Sequence, residues 1–119
     1  MPQTTRIFDL EERTSRFAEK VIVLCRQLKQ DPIIQNMVSQ LLRSATSIGA
    51  NYAEANGASS RKDFRNKIYL SKKESRETEY WLRILCVASP ENKDDLGKLK
   101  HEAHEFVLIF QKITSSLKV

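Results

Sequence analysis

Four runs of apolar residues spaced in threes and fours are separated by Asp31-Pro32, Asn56-Gly57 and Ser89-Pro90. This punctuated periodicity constrains the fold more than any other feature. Spacing of three and four gathers side chains on one face of an α-helix, and the dipeptides between the runs disfavour helix or end it. Only three glycines and three prolines occur, too few for an all-β chain with many turns.

The first run holds Leu10, Phe17, Val21, Leu24 and Leu28, with Cys25 at its edge. Asp9 is expected to cap it, with Glu11 and Glu12 in the first turn, where the helix dipole favours anions. The second carries Ile34, Met37, Leu41, Ala45, Ile48, Tyr52 and Ala55 and is expected to end at Asn56-Gly57. A third helix is expected to start at Ser59 or Ser60 with Asp63 as a capping partner, its inward face running from Phe64 and Ile68 through Ser71, Ser75 and Thr78 to Leu82 and Leu85. The fourth opens at Asn92 with Asp94 and Asp95, and its stripe is Leu96, Leu99, Ala103, Phe106, Phe110, Ile113 and Leu117. Short loops make sequential helices antiparallel. The expectation is an all-α, up-down-up-down four-helix bundle over 9–119, preceded by a flexible tail over 1–8.

Other features narrow the class. No run of about 18 apolar residues exists, so no membrane span is expected. Met1 to Phe8 lacks a basic segment followed by an apolar one, which points to a cytoplasmic protein. Cys25 and Cys86 read as reduced thiols rather than a disulfide framework. The net charge of +5 is compatible with an acidic partner such as nucleic acid.

Helix two is unusual in its lack of charge. Between Pro32 and Ser60 only Arg43 and Glu54 are charged, where a surface helix ordinarily exposes a charged face. Ser39, Ser44, Thr46, Ser47, Gly49, Ala50 and Asn51 are small or polar instead. Such a helix is either well covered by its neighbours or part of a subunit interface, and the interface is the reading adopted, with Arg43, Ser47, Asn51 and Glu54 as its polar members.

Helix three reads as three-sided. Beside its core stripe lies a face with Lys67, Leu70, Glu74, Glu77 and Trp81. Glu74 and Glu77 with no accompanying nucleophile, metal-ligand set or phosphate loop suit a structural network with Arg43 and Trp81 better than acid–base chemistry. The third side gathers Arg61, Lys62, Arg65, Tyr69, Lys72, Lys73, Arg76 and Arg83. From Arg61 to Arg76 seven basic residues face only Asp63 and Glu74, a local excess equal to the whole net charge. Such a stripe can neutralise phosphates while Tyr69 stacks on a base. A solvated helix face has the same composition.

His101 and His104 are three apart, whereas zinc hydrolase helices space histidines four apart. No catalytic residues, metal or cofactor are expected.

In Arg43-Ser44-Ala45, Ser47-Ile48, Asn51-Tyr52-Ala53-Glu54-Ala55, Ser60 and Asp63-Phe64, then Lys73-Glu74, Glu77 and Tyr80-Trp81-Leu82, the chain resembles a known family. It is the four-helix bundle family named for an intervening sequence in bacterial large-subunit ribosomal RNA genes, which takes in accessory variability determinant proteins of diversity-generating retroelements. Leu10, Arg13 and Phe17 fit its opening helix. The resemblance implies a bundle without established activity. Its retroelement branch implies a ring-shaped homopentamer whose basic surface engages nucleic acid and a reverse transcriptase. The expectation is a non-catalytic homo-oligomeric adaptor that binds RNA or DNA through helix three, or alternatively a scaffold contacting only proteins.

Overall fold

The computed structural model describes residues 2–117, with side chains from Leu10 onward. Helix α1 spans Pro2–Gln27, α2 Pro32–Asn56, α3 Arg61–Ala88 and α4 Lys93–Ser116, with a 3-10 turn at Pro90–Asn92. No strand occurs among the described residues.

Each boundary has a local cause. Asp31 is extended and accepts the Ile34 N–H at 2.9 Å, while Pro32 follows in the first helical position, where its missing N–H costs nothing. Ser60 accepts the Asp63 N–H at 3.0 Å, which settles the start of α3 on Ser60 rather than Ser59. Gly57 closes α2 through its N–H to Glu54, 3.1 Å away, at φ −100° and not in the left-handed form.

One expected start is corrected, while α4 opens at Asn92 with Asp94 and Asp95 in its first turn as expected. α1 begins at Pro2, so Asp9 lies within the helix and does not open it, and residues 2–8, expected as a tail, continue the same helix. The Asp9 side chain, Met1 and residues 118–119 of the expected domain lie outside the described residues. Asn92 gives α4 no side-chain cap; its Oδ1 accepts from the Ser89 hydroxyl at 2.8 Å instead, which tightens the 3-10 turn.

The helices pack as an up-down-up-down bundle measuring 45 × 29 × 20 Å. α3 lies against α2 and α4 over much of its length, and α1 closes the square against α2 and, more sparsely, α4. The core follows the four stripes, with Phe17, Phe106, Phe110, Leu41, Ile48, Ile68, Leu82 and Leu85 fully buried. Phe17 of α1 meets Phe106 of α4 edge to face at 5.3 Å.

The α2–α3 seam is closed by small hydroxyls. Thr78 donates to Ser44 at 2.8 Å, Ser71 to the Ile48 carbonyl at 3.0 Å and Ser75 to the Ser71 carbonyl at 2.8 Å. All four are buried and all are satisfied, as buried polar groups require. Ser44 and Gly49, expected among residues available to another subunit, therefore belong to this bundle. Ser44 faces α3, and a Cβ on Gly49 would stand 3.0 Å from the Thr14 hydroxyl of α1.

Cys25 and Cys86 are free thiols. Burial pushes the Cys25 thiol up to about 11, which disfavours the reactive thiolate.

Candidate nucleic-acid interface

α3 carries candidate site residues on both flanks of its core stripe. On the α2 flank, Arg43 reaches across to Glu74 at 3.3 Å and to Glu77, and Trp81 donates its indole N–H to Glu77 at 3.1 Å. The Arg43 hydrogen bond leads in holding the Glu77 carboxyl below its usual range, with Trp81 and Lys73 adding to it and partial burial opposing. The same bond leads in raising Arg43. Four of the residues expected in a polar network thus meet.

Glu54 does not join them. It pairs instead with Lys67 at 2.7 Å, further along the same seam. Ser47 donates to the Arg43 carbonyl at 2.7 Å and Asn51 to the Ser47 carbonyl at 2.9 Å, so both bond their own helix rather than a neighbour. The exposed face of α2 carries Asn36, Ser39, Gln40, Thr46, Ala50 and Ala53, uncharged and small or polar, with Arg43 and Glu54 as its charged members.

On the α4 flank the basic stripe runs from Arg61 to Arg83, about 33 Å along the helix axis at 1.5 Å per residue. Arg61, Lys62, Lys73, Arg76 and Arg83 are exposed, while Arg65 and Lys72 are half-buried. None of these seven makes an ion pair within 4.0 Å among the described residues. Lys72 is held by the Gln111 amide of α4. Arg65 lies over the Tyr69 ring, 4.9 Å from its centroid, and donates to the Tyr69 hydroxyl at 3.2 Å. Its Nε is buried without a partner.

Toward the far end, Arg76, Glu79, Tyr80 and Arg83 form with Lys100 of α4 a shallow pocket of about 310 Å³. Lys100 was not legible as a member of this site. Nothing in its local sequence separates it from any exposed lysine, and only the packing of α4 on α3 brings it beside Arg76 and Arg83. The pocket's carboxylate is engaged elsewhere: Glu79 lies 3.2 Å from His104 Nδ1.

The histidines of α4 do not converge. His104 faces Glu79, and His101 lies 3.6 Å from Glu105. Glu102, between them in sequence, turns to α1 and holds Arg13 at 3.1 Å and Lys20 at 2.7 Å. Beside these bridges an open groove of about 830 Å³ separates α1 from α4. Among the described residues no helix is long and apolar enough to cross a membrane.

No curated protein matches the sequence. A crystal structure of a protein of unknown function from the S23 ribosomal protein family of Bacteroides thetaiotaomicron superposes with a TM-score of 0.78. The two are 32% identical, over 87% of this chain and 96% of the other. The model of the 23S rRNA-intervening sequence protein family matches residues 8–112, from the opening helix through most of α4. With that span, the shared bundle and the identity together, the chain belongs to the 23S rRNA-intervening sequence protein family.

Proposed function

We propose that this chain is a non-catalytic, homo-oligomeric adaptor that binds RNA or DNA through the α4-facing side of α3, within a cytoplasmic nucleoprotein. The observation that carries the proposal is the state of the cations. Seven basic side chains on one helix make no ion pair within 4.0 Å among the described residues, although glutamates on neighbouring faces engage Arg43 and Lys67. A plain solvated helix commonly intersperses charges of both signs, whereas cations left unmatched along about 33 Å suit a row of phosphates. The family's link to a ribosomal RNA intervening sequence agrees with RNA as one such polyanion. The exposed, nearly uncharged face of α2 supports assembly with further copies, since it offers an association surface with little charge to desolvate.

The test is binding to a labelled structured RNA and to a DNA duplex across a salt series. Affinity should fall steeply as salt rises. Combined Lys72→Glu, Lys73→Glu and Arg76→Glu should flatten the slope by about 3, one for each phosphate that no longer meets a cation. Helical circular dichroism should stay unchanged. Absence of binding at low salt would reject the proposal in favour of a scaffold that contacts only proteins.

A further inference from the structure

From the placement of Tyr69 and Tyr80 we infer that the α3 surface takes unpaired strands, reading them by base stacking, in preference to duplex. The inference rests on the nucleic-acid reading above and names the form of nucleic acid. Eleven residues separate the two tyrosines, which is three helical turns plus about 20°. They therefore stand in one line on the outer side of α3, about 16 Å apart. Tyr69 is 42% exposed and Tyr80 53% exposed, so each ring has surface open to a ligand.

Each ring is held in place by its own chain. The Arg65 guanidinium lies over Tyr69 and bonds its hydroxyl, and the Lys72 ammonium sits 5.8 Å from the same ring. Tyr80 meets the half-buried Trp81 edge to face at 5.2 Å, and Trp81 is itself tied to Glu77. Fixing the rings beforehand lowers the ordering cost of a stacking contact. Cations accompany both: Lys72 and Arg76 lie between them, and Arg76, Arg83 and Lys100 surround the pocket that Tyr80 lines.

Cations alone would accept any polyanion, because a duplex presents phosphates as well as a single strand does. Exposed, oriented aromatic rings interleaved with cations add something a duplex cannot use. Its bases are already stacked on each other, while an unpaired base has a free face for a tyrosine. The chemistry is that of loops, bulges and strand ends.

The experiment compares a labelled unpaired oligonucleotide with a fully paired, blunt-ended duplex of equal phosphate count, at fixed salt, for four proteins: the native chain, Tyr69→Ser, Tyr80→Ser and the double Tyr69→Phe/Tyr80→Phe variant. The native chain should favour the unpaired strand. Each serine variant should lose about 5- to 150-fold on that strand. Duplex binding should stay within about twofold, and the phenylalanine pair should retain strand affinity because its rings still stack. Both tyrosines are exposed, and thermal melting confirms the fold of each variant. Equal affinity for strand and duplex, or serine variants that bind the strand like the native chain, would overturn the inference and leave the cationic surface standing. Failure to bind either nucleic acid would overturn the parent proposal and this one with it.

Discussion

Glu77 receives the Arg43 guanidinium from the neighbouring helix and the Trp81 indole N–H from its own, on a single carboxylate oxygen. Both donors favour the ionised form, so its folded pKa lies below that of the unfolded chain. The stability it contributes is therefore present at neutral pH and is lost as pH falls through the ordinary glutamate value of 4.5 and below. Arg43 keeps 47% of its side chain exposed and Glu77 30%, so solvent screens the pair. Glu77→Gln should cost about 0.2–1 kcal/mol at pH 7. Urea unfolding at descending pH should show the two proteins converging, and a gap that widens in acid would contradict the arrangement. The meeting of Arg43, Glu74, Glu77 and Trp81 was legible because each side of the cluster repeats at helical spacing. The Glu54–Lys67 pair was harder to foresee, because Lys67 lies in a run of other basic residues and only the relative axial position of α2 and α3 selects it.

Helix pairs here differ in how closely they approach, and small residues set the difference. Gly49 is the point at which α2 meets α1, with Thr14 buried opposite. Thr14 already donates to the Glu11 carbonyl at 3.0 Å, so its position is fixed from behind. Gly49→Val should destabilise the bundle by about 1–3 kcal/mol through overpacking. Thr14→Ala in that background should recover part of the loss in chemical denaturation, and a Gly49→Val chain as stable as the native one would show the approach to be looser than described. The apolar stripes of all four helices were legible in the sequence, as were the breaks between them. The role of Ser44 and Gly49 was not, since a small residue fits a subunit contact and an internal helix contact equally well until the neighbour is placed. The start of α1 was also misplaced: Asp9 looked like a cap because caps are recognised by residue type, whereas Pro2 at the first helical position leaves no such contrast in the polar residues after it.

For the whole molecule, the expectation of assembly has a direct measure. Light scattering at micromolar concentration should return a multiple of the 13.8 kDa chain mass, and 13.8 kDa itself would remove the homo-oligomer from the proposal. The square of helices also has a consequence for the order in which the molecule can be completed. Every helix packs on its neighbour in sequence, and among the described residues the closure between distant segments is α1 on α4. During synthesis α1 is finished 89 residues before α4, a wait of roughly 4 to 18 s at ribosomal speed. Through that interval Phe17 has no Phe106 to meet, and Arg13 and Lys20 have no Glu102. The nascent chain thus leaves the α4-facing sides of both α3 and α1 uncovered until its last helix emerges, and the ionic seam between first and last helices acts as the clasp that ends this exposure.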